Sequence, residues 1–187
     1  MTTPTTNIIS LIIIIIILMI ASSAQNANST VVSLTKLCNN TRNPTLCHRV
    51  LPGSTGDLRE LGRKAVKSTL SSTTQALAKV RALIKAEKDP NLIESYNSCS
   101  INFEIVSSNI SDYSRLLIAS KKPDRRLLCI LASEAEMGME ACNYLMMFAL
   151  PPAKPPTEPA KLAAVCDHIE QLASILLAIG NILAAGT

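Results

Sequence analysis

The chain has 187 residues, of which 48% are hydrophobic and 3% aromatic, and its formal net charge is +4. The absence of Trp, the five aromatic residues and the six glycines favour packing of helices through small side chains and argue against a β-sandwich. A mild positive charge without interleaved aromatic residues argues against a nucleic-acid partner.

The N-terminus predicts a secretory signal peptide. Residues 8–20 form one apolar run, and Ser22 and Ala24 follow it at the −3 and −1 positions of a cleavage site. A membrane span needs roughly 20 residues, so the run fits a signal better than a retained anchor, which is the alternative. We expect residues 1–24 to be removed, residues 25–187 to form one domain, and no membrane association after cleavage.

Secretion has two chemical consequences. Thiols outside the cytosol tend to form disulfides. Sequons begin at Asn28, Asn39 and Asn109, and these asparagines are predicted glycosylation sites.

Residues 30–55 predict a small helical hairpin that contains Cys38 and Cys47. Asn43 and Pro44 lie between the two cysteines and supply a turn that brings them together, which favours a local disulfide. A zinc site is the rival, but this spacing fits no common zinc half-site. The chain also offers only two histidines beside its cysteines. We therefore predict a disulfide and no metal.

Two long helices are predicted next. The first starts after the N-cap Asp57, and its apolar or small positions recur in steps of four and three at Gly62, Val66, Leu70, Thr73, Leu77, Val80 and Ile84. The second starts with Asp89 as cap and Pro90 as first helical residue. Its apolar positions are Leu92, Tyr96, Cys99, Phe103, Val106, Ile110, Tyr113 and Leu117.

Two further helices complete the pattern. The third starts near Asp124, with Leu128, Leu131, Ala135, Gly138, Cys142, Leu145 and Ala149 in the same steps. The proline-rich residues 150–160 predict an extended connector before the fourth. Four such helices with mostly short connections predict an all-α, up-down-up-down four-helix bundle over residues 57–185, preceded by the disulfide-closed hairpin.

The remaining cysteines have more than one possible pairing. With a turn near Lys121, Cys99 and Cys142 stand level on antiparallel helices and could form a disulfide. Cys166 is also level with Cys142, so a Cys142–Cys166 bridge stays open. Cys129 lies about 20 Å along the helix from Cys142, and we expect it to be an unpaired, buried thiol.

Two other function classes find little support. The chain has no Gly-x-Ser-x-Gly, His-Glu-x-x-His or phosphate-binding glycine motif, so we predict neither an enzyme nor a cofactor. Cys166, Asp167 and His168 are successive helical residues that point in different directions. A carrier of apolar ligands is the other alternative, because methionines on the third predicted helix could line a cavity; they are Met137, Met139, Met146 and Met147. Methionines on bundle helices more often fill the core.

The stretch CNNTRNPTLCHRVL, Cys38 to Leu51, resembles the N-terminal signature of the plant invertase and pectin methylesterase inhibitors. DLRELGRKAV, DPNLIESYNSC and LASEAEMGMEAC agree with the same family. The resemblance implies a four-helix bundle with an N-terminal α-hairpin, disulfides Cys38–Cys47 and Cys99–Cys142, and a free thiol at Cys166. It also implies an inhibitor that blocks the active-site cleft of a plant carbohydrate-active enzyme.

Two target enzymes compete within this family, and the chain departs from the motif of each. Pectin methylesterase inhibitors usually carry acidic residues where this chain has Ile101 and Ile105, and Thr with an acidic pair where it has Ala141 and Asn143-Tyr144. The Pro-Lys-Phe element of invertase inhibitors is also absent, but DLRELG resembles the invertase-inhibitor-like branch. We expect an acid invertase (β-fructofuranosidase) as target, with pectin methylesterase as the alternative. A diverged binding protein without inhibitory activity is a third possibility. The expected location is the apoplast and cell wall, or the vacuole.

Overall fold

The computed structural model describes residues 31–53, 55–119, 123–148 and 158–185. The predicted signal peptide and Asn28 lie outside these ranges. The elements in chain order are β1 (Val31–Ser33), α1 (Leu34–Cys38), α2 (Pro44–Val50), β2 (Thr55–Asp57), α3 (Leu58–Ala86), α4 (Pro90–Ala119), α5 (Arg125–Phe148) and α6 (Glu158–Ala185).

Aspartate caps set the starts of three bundle helices, and two of these caps, Asp57 and Asp89, are predicted from the sequence. Asp57 accepts hydrogen bonds from the backbone N–H groups of Arg59 and Glu60 at the start of α3. Asp89 accepts one from Asn91 at 2.9 Å, and Asp124 accepts one from Leu127 at 3.1 Å. These bonds satisfy N–H groups that have no partner inside the helix.

The start of α6 differs from the prediction. The helix begins at Glu158, whereas the connector was expected to continue to residue 160. Pro159 is compatible with this start because a helix does not use the N–H groups of its first turn. The rest of the predicted connector lies outside the described residues.

The four long helices form the predicted bundle. Each packs against the next in sequence, and α6 also packs against α3. On α4, a stripe at alternating steps of three and four is buried and consists of Tyr96, Cys99, Phe103, Val106, Ile110, Tyr113 and Leu117. The Tyr113 hydroxyl donates to the backbone carbonyl of Leu176 at 2.9 Å, which joins α4 to α6 through the core. Burial raises the pKa of Tyr113.

The hairpin packs on the bundle through apolar side chains, and the two strands of a small sheet flank it in the sequence. Leu34, Leu37, Leu46 and Leu51 are buried, with 0–5% of their surface exposed. Strands β1 and β2 pair antiparallel, with Val31 opposite Asp57. The sequence did not predict this sheet, because strands of three residues are too short to show a periodic pattern.

Helix α6 is apolar enough to be considered as a membrane span. An 18-residue window within Glu158–Ala184 has a mean hydropathy of 1.6. However, 61% of that apolar window is buried inside the fold. Packing against the other helices therefore accounts for its composition.

Candidate functional site

The six cysteines form two disulfides and leave two thiols. Disulfides join Cys38 to Cys47 and Cys99 to Cys142, with Cα–Cα distances of 5.4 Å and 4.9 Å. Cys166 is a buried free thiol. Cys129 is also free, but it is half-buried rather than buried as expected, because it lies one residue off the core stripe of α5. Its Sγ lies 3.3 Å from Oδ1 of Asn181.

Arg42 anchors the hairpin to two bundle helices. Its guanidinium forms ion pairs with Glu170 of α6 and, at 3.4 Å, with Glu136 of α5. Its backbone N–H donates to the Ser174 hydroxyl at 3.2 Å. The neighbouring Asn43 accepts from the N–H of Leu46 as N-cap of α2 and donates to the side chain of Gln171. The turn between the two hairpin cysteines is therefore fixed to α6 by charge and hydrogen bonds.

Replacing Arg42 by alanine should lower the free energy of unfolding by about 2 kcal/mol. Breaking a buried ion pair costs about 3–5 kcal/mol because a buried charge loses its partner. We discount that range because about half of the Arg42 side chain is exposed to solvent. Urea unfolding measures the loss, and Arg49→Ala, in an exposed position of α2, is the matched control. Equal unfolding curves for the two variants would contradict the anchoring role.

The two glutamates around Arg42 have raised pKa values. Burial is the main cause for both, because their side chains are only 11% and 5% exposed and the charged form loses hydration. Arg42 lowers both pKa values. The carboxylates of Glu170 and Glu140 raise the pKa of Glu136, and those of Glu140 and Asp167 raise the pKa of Glu170. One guanidinium shared by two carboxylates does not offset the loss of hydration.

These pKa shifts predict greater stability in mild acid than at neutral pH. A carboxyl group with a raised folded pKa binds its proton more tightly when folded. Its stabilising contribution is complete below the unfolded pKa of about 4.3 and is lost as the pH rises through the folded pKa. Glu60 and Glu158 have lowered pKa values. Their effect on stability therefore falls at more acidic pH than that of Glu136 and Glu170.

We therefore expect the urea midpoint to fall between pH 5 and pH 7. The double variant Glu136→Gln/Glu170→Gln should lose most of this dependence, because neither amide titrates. A wild-type midpoint that is constant or rises over this interval would contradict the assignment.

An exposed apolar surface runs along the outer side of α4 and α5. Large apolar side chains on it are 49–72% exposed, although most residues of this type lie in the core. We call it the outer α4–α5 surface and define it by Ile101, Ile105, Met137, Ala141, Tyr144 and Phe148.

The contacts between the two helices place these residues side by side. Asn109 of α4 donates to Glu134 of α5 at 3.2 Å, and Cys99 is bonded to Cys142. In this antiparallel register Ile105 lies level with Met137, and Ile101 lies level with Ala141. Helical spacing then puts both isoleucines on the flank of α4 that borders α5.

The surface has an aromatic end and a shallow depression. The rings of Tyr144 and Phe148 lie 4.3 Å apart between centroids. A depression of about 490 Å³ is lined by Met137, Glu140, Ala141, Tyr144 and Leu145. Exposed apolar patches with polar rims mark sites of protein–protein contact.

By sequence, Ile101, Ile105, Ala141 and Tyr144 count only as departures from the pattern of pectin methylesterase inhibitors. The register of the two helices places them side by side, on the flanks along which α4 and α5 meet. The overlooked signal is a second spacing of four, three and four on α5, formed by Met137, Ala141, Tyr144 and Phe148. This stripe lies beside the buried stripe of the same helix, so α5 has two apolar faces.

The structure also shows the surroundings of the other residues that the sequence singles out. Asn39 is exposed after α1, whereas Asn109 is half-buried and hydrogen-bonded to Glu134. Within the described ranges, no three metal-ligating side chains converge. Cys166 is buried while Asp167 and His168 are exposed, so these three side chains do not meet. Met139 and Met146 fill the core, whereas Met137 and Met147 face solvent.

The family described as "Plant invertase/pectin methylesterase inhibitor" matches residues 32–179, which include the hairpin and nearly all of the bundle. The chain belongs to this family. A curated member, "Pectinesterase inhibitor 2" of Arabidopsis thaliana, is 24% identical over 123 residues, which cover 64% of this chain and 69% of the relative.

Solved structures share the fold of this family member. A mutant form of a pectin methylesterase inhibitor from Arabidopsis has a TM-score of 0.67 at 22% identity. A second structure, of a pectin methylesterase inhibitor from Arabidopsis thaliana, has a TM-score of 0.59 at 23% identity. Each match covers 80% of this chain and 95% of the solved chain. The predicted hairpin and four-helix bundle are thus confirmed as the fold.

Proposed function

We propose that this protein inhibits a plant pectin methylesterase by placing the outer α4–α5 surface over the enzyme's substrate cleft. Membership of the inhibitor family and the curated pectinesterase inhibitor support this target. The observation that carries the proposal is the exposed apolar surface itself, which has no role in the core. In this proposal the chain is an inhibitor and not an enzyme.

The composition of the surface suits a protein partner. Aromatic residues and methionine are enriched in the centre of protein interfaces, where a few side chains supply most of the binding energy. Tyr144, Phe148 and Met137 are of this type and are more than half exposed. Glu134 and Glu140 lie at the rim and favour a positively charged rim on the enzyme.

The cellular setting follows from the N-terminal sequence. We infer that residues 1–24 are cleaved, that residues 25–187 form the mature domain, and that the protein acts in the apoplast and cell wall. Disulfides are stable in that compartment. Mass determination of the secreted protein would test both the cleavage site and glycosylation at Asn28, Asn39 and Asn109.

Inhibition can be tested by titration of the secreted protein against a plant pectin methylesterase and an acid invertase. We expect loss of pectin methylesterase activity with an end point near one inhibitor per enzyme. No inhibition of this enzyme by folded protein would contradict the proposal.

Acid invertase is the second candidate. Ile101 and Ile105 replace the acidic residues usual in pectin methylesterase inhibitors, and DLRELG resembles the invertase-inhibitor-like branch. Inhibition of invertase alone would reverse the order of the two targets. Inhibition of neither would support a diverged binding protein.

A further inference from the structure

A free thiol lies against one of the two disulfides. Cys166 of α6 has its Sγ 3.0 Å from Sγ of Cys142, which is already bonded to Cys99 of α4. All three cysteines have no exposed surface. Thiol–disulfide exchange begins with the approach of a thiolate to a disulfide sulfur, and here the approaching sulfur is already in contact.

We propose that Cys99, Cys142 and Cys166 form an intramolecular exchange site, in which the disulfide moves between Cys99–Cys142 and Cys142–Cys166. The Cys166 thiolate attacks Sγ of Cys142, the Cys166–Cys142 bond forms, and the Cys142–Cys99 bond breaks. The electron pair leaves with Sγ of Cys99, which takes up a proton. One disulfide and one thiol are present before and after, so no oxidant or reductant is required.

Burial explains how such a site can persist without continuous exchange. It raises the pKa of Cys166 to about 12, and the negative charge of Glu170 acts in the same direction. Only the thiolate attacks, so the raised pKa leaves little of the attacking form in neutral solution and still less in mild acid. Protonation of Cys166 therefore protects the Cys99–Cys142 bond in the folded protein.

Exchange would change which helices are covalently joined. The observed disulfide ties α4 to α5, whereas the exchanged disulfide ties α5 to α6. Ile101 is two residues from Cys99, and Ala141 is adjacent to Cys142, so the present bond holds the two halves of the outer α4–α5 surface together. An effect of exchange on inhibition rests on the proposed function, but exchange itself does not.

Disulfide mapping of the wild-type chain is the first test. The protein is kept at pH 9 without added thiol, quenched with acid, alkylated, and digested with trypsin and Glu-C. Cleavage after Glu134, Glu136 and Glu140 separates Cys129 from Cys142. We expect at least tenfold more of the peptide linked through Cys142 and Cys166 than in a sample held at pH 4. Equal amounts in the two samples would overturn the proposal.

Two variants separate direct exchange from other routes. Cys129→Ser removes the other free thiol and should exchange like the wild type, while Cys166→Ser should release no thiol at Cys99. Release of Cys99 in Cys166→Ser, or its absence in Cys129→Ser, would overturn the proposal. Mapping uses no enzyme, so failure of exchange and failure of inhibition remain separate results.

The variant Cys99→Ser tests whether the alternative bond fits the fold. When it is refolded with oxidised glutathione, we expect Cys142 to be bonded to Cys166 in most molecules. Cys142 found reduced, or bonded to glutathione, would overturn the proposal.

Discussion

Exchanging Tyr144 for alanine and Ile105 for lysine together is expected to weaken inhibition of pectin methylesterase at least tenfold. Each residue is about half or more exposed in the free protein, so neither contributes much to the core. Tyrosine is enriched among the central interface residues whose truncation costs about 2 kcal/mol or more, and every 1.4 kcal/mol is a factor of ten in Kd. The lysine adds an ammonium group that loses its hydration when the apolar surface is covered.

The matched control for this prediction is Ile118→Lys. Ile118 is on the same helix and is 50% exposed, but helical spacing turns it about 140° away from Ile105. We expect this variant to inhibit like the wild type and all three proteins to have similar urea midpoints. Full inhibition by the Tyr144→Ala/Ile105→Lys variant, or equal loss in Ile118→Lys, would contradict the assignment of the surface.

Replacing Cys142 by alanine should have the largest effect on stability. The Cys99–Cys142 disulfide joins residues 43 apart, and closing a loop of that length stabilises the fold by about 4 kcal/mol through the unfolded state. Cys142 is also shared by both possible bridges, so its loss removes both of them. Urea unfolding of the oxidised proteins measures the difference.

Two other cysteine variants calibrate this loss. Cys47→Ala opens a bridge across only nine positions, for which the same relation gives about 2.5 kcal/mol. Cys129→Ser removes no bond and should unfold near the wild type. A Cys142→Ala variant as stable as Cys129→Ser would mean that the disulfide between α4 and α5 does not constrain the unfolded chain.

Local chemistry explains why much of the fold was readable from the sequence. Asp57, Asp89 and Asp124 each precede an apolar periodic segment, and each caps the helix that follows. The α4 stripe kept its spacing over seven buried residues. On α5, Met139 and Met146 are buried in addition to the predicted Cys142. The buried stripe shifts around this helix because a straight helix has 3.6 rather than 3.5 residues per turn.

Features that depend on distant residues could not be read in the same way. Arg42 pairs with residues more than 90 positions away, and nothing near it in sequence indicates that Glu136 and Glu170 are its partners. Heights along the helices, read from the sequence alone, make Cys99 and Cys166 equally suitable disulfide partners for Cys142. In the structure, Cys99 is bonded to Cys142, and the sulfur of Cys166 lies against that of Cys142. The outer α4–α5 surface was missed because its residues were compared with a motif rather than with one another.

Hydroxyl-radical footprinting of the complex tests the central claim most directly. The protein is oxidised alone and with saturating pectin methylesterase, and modification is measured at Met137 and Tyr144, which are 56% and 62% exposed. His48 on α2 and His168 on α6 are exposed internal references. We predict that the enzyme lowers modification of Met137 and Tyr144 several-fold and leaves both histidines unchanged. Unchanged modification of Met137 and Tyr144, or protection of the histidines instead, would contradict docking through the outer α4–α5 surface.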